Sequence, residues 1–397
     1  MRVPTLQMSR ASFDAVRSRE AEQAKLQSRI ASGLRVQSPG DDPVAAAQAE
    51  LARSRLASIT QDRRANQLSA SVLATADGAL SQGVDMLQSA REALVGAGNG
   101  AYSASDRASL ADHLSGLRDQ LLLLANSSDG AGGFVFGGQG AASAPLAGVA
   151  SPAYAPAAGD QRIGEGGRYA ATVDGQSVFM SLAQGNGVFV TGSAGANTGS
   201  GWIGAGAVTS PAQLTGHAYS IAITGAPGAQ TYTATDTTLG TAVATGAPFT
   251  PGAAITVDGQ QITITGAPAS GDAFTLAPAA KQSVFQTLDD AISLLRNTTL
   301  SKPAYNQGLE GVQAGIDRAL DGMVLARTHV GEQMQSVDRG ADTANQQELS
   351  TTQRRSDLED MDVAAGISQL QNSQVGLQAA LQSYAGIAKT SLFQYIT

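Results

Sequence analysis

The stretch Ser38-Pro39-Gly40-Asp41-Asp42-Pro43-Val44 separates two helical patterns near the N-terminus of this 397-residue chain. Its proline and glycine residues are typical of the end of a helix. Asp42 can cap the free N–H groups of a new helix, and Pro43 suits the first helical position because its missing N–H is not needed there. We therefore predict that a long helix begins at this point.

Proline has an uneven distribution along the whole chain. None occurs between Val44 and Ala144 or between Ala304 and Thr397, whereas nine of the thirteen lie from Pro145 to Pro278. The proline-free flanks predict helices, and the middle, rich in proline and glycine, predicts short strands with turns. The expected fold class is α+β: a long antiparallel helical coiled coil or rod formed by the two flanks, with an inserted all-β domain.

This pattern also predicts where the domains divide. Residues 1–42 with 356–397 are expected to form a terminal coiled-coil core domain. Residues 43–146 with 280–355 are expected to form a helical rod domain with a short β segment. Residues 147–279 are expected to form an inserted β domain rich in threonine and glycine.

Apolar residues recur at three- and four-residue steps in both terminal segments, as in amphipathic helices. Burial of about nine large side chains in the C-terminal segment stabilises it by roughly 15–25 kcal/mol. Ordering about 40 residues costs roughly 60 kcal/mol before hydrogen bonds are credited. We therefore expect both termini to be loose in the monomer and to order against neighbouring subunits; the alternative is that they only pack on the central helices. The predicted subunit-packing residues are Leu6, Phe13, Ile30, Leu34, Ile367, Leu370, Leu377, Leu381, Tyr384, Leu392 and Phe393.

Two short motifs predict local structure. Ser103 and Asp106 have the spacing of a capping box, in which each residue satisfies a backbone N–H of the other. Asp258-Gly259 separates two segments of alternating apolar and polar residues. This pair favours a two-residue hairpin turn, because both of its positions need a positive φ.

Arg354-Arg355 lies in a polar stretch before the last apolar stripe. We interpret the pair, together with Asp41, Asp42 and Pro43, as helix-start or linker residues. If the termini pair, the arginines could meet the two aspartates and form ion pairs, each worth about 0–1 kcal/mol when exposed. The alternative is that the arginines bind a polyanion.

Composition argues against several classes of function. The chain has no cysteine, three histidines far apart in sequence and a net charge of −8. These features disfavour metal-thiolate sites and nucleic-acid binding, and no apolar stretch approaches the length of a membrane span. Neither a phosphate-binding loop nor a nucleophile elbow is present. We expect no enzyme activity and no cofactor, nucleic-acid partner or membrane partner.

Several motifs resemble those of the flagellin superfamily. Leu26–Val36, followed by Asp41-Asp42, is similar to its N-terminal signature, and Leu358–Leu370 is similar to its C-terminal one. The resemblance covers roughly residues 1–146 and 281–397. Further motifs favour hook-associated members over filament flagellins: Asp41–Ala46, Asp106–Leu110 with Leu117–Leu121, Ala125–Gly130 with Phe134–Gly138, and Ser391–Gln394.

The resemblance implies that the terminal helices pair as a coiled coil and that the protein is a structural subunit of the bacterial flagellum. It implies a position at the hook–filament junction, in a ring of identical subunits. The implied partners are the first hook–filament junction protein, flagellin and a flagellar export chaperone. Export would be unfolded, through the flagellar type III apparatus and without a cleaved signal peptide, to an extracellular location.

Two other functions remain open at this point. One is flagellin itself, the filament subunit. The other is a secreted adhesin or carbohydrate-binding module, in which the β domain binds and the helices form a stalk.

Overall fold

The computed structural model describes residues 5–393 except 131, 139–143, 148–152, 155–160, 163–167 and 170–172. This described part contains six α-helices. Three precede the β region and three follow it, as the proline distribution predicts. They are α1 (Thr5–Ser32), α2 (Pro43–Ala97), α3 (Ala104–Ala125), α4 (Val284–Arg296), α5 (Lys302–Glu359) and α6 (Val363–Phe393).

The strands all lie between α3 and α4. A π-helical turn (Gln176–Met180) and a 3₁₀ turn (Pro211–Gln213) interrupt them. The strands are β1 (Leu146–Ala147), β2 (Ala153–Tyr154), β3 (Gln161–Arg162), β4 (Arg168–Tyr169), β5 (Leu182–Ala183), β6 (Phe189–Ser193), β7 (Trp202–Ile203), β8 (Ala207–Val208), β9 (Tyr219–Thr224), β10 (Thr231–Asp236), β11 (Thr241–Pro248), β12 (Ala254–Val257), β13 (Gln260–Thr265), β14 (Ala273–Pro278) and β15 (Lys281–Gln282).

Two antiparallel sheets form the main β structure. The larger has the strand order β11-β10-β9-β14-β6. In the smaller, β13 pairs with β12 on one side and with β7 and β8 on the other. Short two-stranded ladders join β1 to β2, β3 to β4 and β5 to β15. The helical flanks and the β region between them confirm the α+β class.

Both short motifs adopt the predicted local structure. Ser103 caps α3 in a capping box with Asp106. Asp258 (φ 43°) and Gly259 (φ 79°) connect β12 to β13, with Val257 opposite Gln260. The two positive φ angles are those that this turn requires.

The described residues form two compact units. One contains the residues up to Ala65 and those from Ala341 onward, and the other runs from Asn66 to Gly340. The predicted boundaries at residues 42/43 and 355/356 remain a prediction.

The second unit contains two apolar cores. In the helical core, Leu73, Leu80, Leu87 and Leu94 are fully buried, and their seven-residue spacing places them on one face of α2. The other core lies in the β region and is built from the buried alternating residues of the strands. It contains Phe189, Ile203, Tyr219, Ile221, Ile223, Ala234, Phe249, Ile255, Val257, Ile262, Ile264, Phe274 and Leu276.

The linker interpretation of Arg354 and Arg355 is wrong. Both lie inside α5, which continues to Glu359. The stretch from Ala341 to Asp357 has Leu349 as its one large apolar residue, but no proline or glycine occurs before α5 ends, so nothing in it breaks a helix. The break comes later, where the Asp362 carboxylate accepts hydrogen bonds from the first N–H groups of α6.

Candidate subunit-packing surface

The two terminal helices pack on each other within the first unit. The Phe13 ring of α1 and the Tyr384 ring of α6 have centroids 6.3 Å apart. At the other end of the pair, Leu34 forms an antiparallel bridge with Asp360. The helices therefore run antiparallel, and the N-terminal and C-terminal apolar stripes meet along their length.

This pairing leaves large apolar side chains in solvent. Phe13 is 53% exposed, Ile367 is 45% exposed and Leu381 is 44% exposed. Ile367 and Leu381 are fourteen residues apart, close to four full helical turns, so they share one flank of α6. Gln374 lies midway between them on the same flank. We define Ile367, Gln374 and Leu381 as the α6 flank.

The chemistry of α6 matches this exposure. Lys389 is the one charged residue in its sequence from Val363 to Phe393. When another protein surface packs on an uncharged helix face, few charged groups of the helix lose their hydration. The α6 flank can therefore be covered at low electrostatic cost.

The other predicted packing residues occupy two kinds of position. Five of them have half-buried side chains. Three others lie in a helix, but their side chains are outside the described part of the chain. The half-buried residues are Ile30, Leu34, Leu370, Leu377 and Tyr384. The three undescribed side chains are those of Leu6, Leu392 and Phe393.

Sequence reasoning missed several exposed apolar residues of the same unit. Val375 of α6 is 65% exposed, and Val44, Leu51 and Leu349 are also well exposed. Val44 and Leu51 are seven residues apart, and this spacing is the signal that could have identified them. Leu349 is the one large apolar residue in an otherwise polar stretch, so it belongs to no stripe.

The Asp41 carboxylate ties α1 to the turn that follows it. It lies 2.5 Å from the Lys25 ammonium and 3.0 Å from an Arg29 nitrogen. It also accepts the backbone N–H groups of Gln37 and Ser38. The bond from Lys25, with these other donors, holds the pKa of Asp41 far below its ordinary range.

Asp42 occupies the helix-capping position. Its carboxylate accepts the N–H of Ala45 at 3.0 Å, and α2 begins at Pro43. The bond from Ala45 and the nearby Arg35 guanidinium lower the pKa of Asp42. Asp42 therefore fixes the start of α2, while Asp41 holds the preceding turn against α1.

The same turn is bonded to the break between α5 and α6. Arg35 donates to the carbonyl oxygen of Leu358 at 2.7 Å, and its backbone N–H donates to that of Glu359 at 2.6 Å. Met361 donates its N–H to the Gly33 carbonyl oxygen at 2.8 Å. These bonds join the N-terminal signature to the C-terminal one, between the end of α1 and the break from α5 to α6.

The expected ion pairs between the two aspartates and the two arginines are absent from the described side chains. Asp41 takes Lys25 and Arg29 as partners, whereas Arg355 lies 4.0 Å from Glu359. Glu359 is also 2.5 Å from Arg53 of α2. The carboxylate at the end of α5 thus replaces the aspartates as the partner of Arg355.

Metal-ligand clusters and membrane-spanning helices are both absent from the described part of the chain. No three His, Asp or Glu side chains there are grouped as metal ligands would be. None of the described helices has an apolar stretch long enough for a bilayer crossing.

Residues 3–141 match the family model of the bacterial flagellin N-terminal helical region. Flagellar hook-associated protein 3 of Salmonella typhimurium is 39% identical over 146 residues, 37% of this chain and 46% of that protein. This match spans less than half the length of that relative.

Two further similarities extend over most of the chain. Flagellar hook-associated protein 3 of Escherichia coli is 26% identical over 398 residues, 99% of each chain. The crystal structure of the flagellar junction protein FlgL from Legionella pneumophila has a TM-score of 0.68 and 27% identity, over 74% of this chain and 99% of that one. By its N-terminal match, its whole-chain similarity and its fold, the chain is similar to flagellar hook-associated proteins, and its N-terminal part resembles the bacterial flagellin N-terminal helical region.

Proposed function

We propose that this chain is a structural subunit of the bacterial flagellum that forms the hook–filament junction and connects a hook-associated protein to the flagellin filament. The similarity to hook-associated protein 3 over 99% of the chain supports a flagellar hook-associated structural role. The finer assignment to the junction is supported by the junction protein from Legionella pneumophila, which covers 74% of this chain.

The observation that carries the proposal is the α6 flank. Its Ile367 and Leu381 remain nearly half exposed after α1 and α6 have packed together. Complete burial of such a side chain is worth about 1.5–3 kcal/mol, so covering the exposed half would add about 1 kcal/mol per residue and subunit. A ring of identical subunits repeats this gain at every contact, which a monomer cannot do.

The proposed partners follow from the position at a junction. Copies of the chain contact one another in a ring, the first hook–filament junction protein lies on one side and flagellin lies on the other. The chain reaches this extracellular site unfolded, through the flagellar export apparatus and with an export chaperone. The helical, cysteine-free flanks are compatible with that route.

The second candidate is the filament subunit itself, because the family model that matches residues 3–141 describes flagellins. The two candidates differ in what a gene deletion releases. Without a junction protein, flagellin is still exported but has no place to assemble. Without the filament subunit, the culture medium lacks flagellin.

Deletion of the gene in its own bacterium tests the proposal. We expect cells without filaments whose medium contains flagellin, detected by immunoblotting, and recovery of filaments when the wild-type gene is returned. Filaments of normal number on the deletion strain would exclude the junction role. Loss of flagellin from both the cells and the medium would favour the filament subunit.

A further inference from the structure

The β region from Gly175 to Ala280 is almost free of charge. It contains no lysine, arginine or glutamate, and its charged residues are Asp236, Asp258 and Asp272, with His217 as its one histidine. Typical globular domains contain about 25% charged residues. This region therefore departs strongly from an ordinary solvent-facing surface.

The three aspartates bond inside the domain. Asp236 is buried and lies 2.7 Å from the His217 ring. Asp258 accepts the Tyr219 hydroxyl at 2.7 Å. Asp272 is buried and accepts backbone N–H groups, the shortest of these bonds being 2.7 Å. All three carboxylates therefore already accept hydrogen bonds from within the domain.

Each of the two main sheets has an outer strand in the segment between β10 and β13. Within the described residues, β11 pairs with β10 alone and β12 pairs with β13 alone. The loop of residues 249–253 joins β11 to β12, so the two edges are held close together. We define the segment Thr237–Val257, which contains both strands, as the open side.

The open side has no charged residue, and its exposed side chains include apolar ones. Leu239 is 64% exposed and Val243 is 44% exposed. Edge strands are usually protected by lysine or other charges, which this segment lacks. The segment has 21 residues, of which Phe249, Ile255 and Val257 are buried in the β core.

The charge pattern limits what can cover the open side. A charged partner surface would lose its hydration there without gaining counter-charges, which is unfavourable. Another copy of the same domain presents no charges to desolvate, and its net charge produces little repulsion. An identical copy is therefore the partner that this surface fits.

We propose that the open side contacts the β domain of a second copy of this chain. The contact is made by side chains rather than by extension of a sheet, because β11 has register shifts against β10 and ends at Pro248. Because no ion pair takes part, the contact does not weaken with ionic strength.

Site-specific cross-linking of the full-length chain tests this contact, since the natural sequence has no cysteine. Val243→Cys is the probe on the open side, and Ala226→Cys, in the exposed turn between β9 and β10, is the matched control. Each variant is treated with a short bismaleimide at low and at high salt. Far-UV circular dichroism checks the fold, and Leu239→Cys replaces Val243→Cys if that variant unfolds.

We expect covalent dimers from Val243→Cys to form at least tenfold faster than those from Ala226→Cys, with the same rate at both salt concentrations. Any contact through the terminal helices is common to both variants, so the two differ only in which surface of the β domain carries the thiol. Equal rates, no dimer from either probe, or a rate for Val243→Cys that falls severalfold at high salt would overturn the proposal.

Discussion

Gly315 allows α5 to approach α4 closely. A Cβ at this position would lie 2.6 Å from Cγ2 of Thr287, a side chain that is buried. Thr287 is β-branched and stiff, so it cannot move aside easily. Gly311, one turn earlier on the same helix, has nothing within 4 Å of the same point. The two glycines therefore form a matched pair.

We predict that Gly315→Ala destabilises the second unit by about 1–3 kcal/mol, the usual cost of overpacking. Gly311→Ala should instead stabilise the helix by about 0.5–1 kcal/mol, because alanine loses less backbone entropy. Chemical denaturation of both variants measures the difference. Equal effects of the two substitutions would mean that the contact with Thr287 relaxes freely.

Asp41 should make the first unit sensitive to acid. Its folded pKa lies below the ordinary value of 3.8, so its contribution to stability is present above that pH and is lost as the pH falls toward the folded pKa. Asp41→Asn should therefore lower the melting temperature at neutral pH, and the difference from wild type should shrink below about pH 4. Far-UV circular dichroism melts measure this. Asp14→Asn, on an exposed part of α1, is the control, and a difference that stays constant with pH would contradict the assignment.

The elements differ in how far sequence predicts them. The capping box at Ser103 and the hairpin at Asp258 are fixed by residues that are adjacent or three positions apart, so their chemistry is readable directly. Arg354 and Arg355 were misplaced because a polar stretch hides its helical character when apolar periodicity is the signal. Other contacts join residues far apart in the sequence. Arg29 and Asp41 are 12 positions apart, and Arg53 and Glu359 are 306 positions apart. No local sequence pattern encodes such pairs.

The terminal helices provide a prediction at the scale of elements. Their half-exposed apolar residues make α1 and α6 less stable than the buried helical core around Leu80 and Leu87. In the free chain we expect faster amide hydrogen exchange in residues 5–32 and 363–393 than in residues 72–94. Protection of the terminal helices equal to that of the core would contradict the expectation that they order against neighbouring subunits.

At the scale of the whole molecule, composition predicted the order of helical and β regions but not the surfaces that they present. Proline placement follows from backbone geometry, which is why it located the β insertion. Surface chemistry depends on which side chains remain exposed after packing. The exposure of Val375 and the edge position of β11 therefore became visible only in three dimensions.

Assembly should depend on the α6 flank rather than on α6 as a helix. Leu381→Asp places a charge where we propose that a neighbouring subunit packs, and desolvating that unpaired carboxylate would cost more than the apolar contact contributes. Gln382→Asp adds the same charge to the same helix at the next position, which is rotated by about 100° and is exposed. We expect the first variant to be exported but to give few or no filaments by electron microscopy, and the second to assemble normally. Because both variants carry the same charge, a failure of both to assemble would indicate a general effect on the helix or on its export. Normal filaments from Leu381→Asp would show that the α6 flank does not lie in the subunit interface.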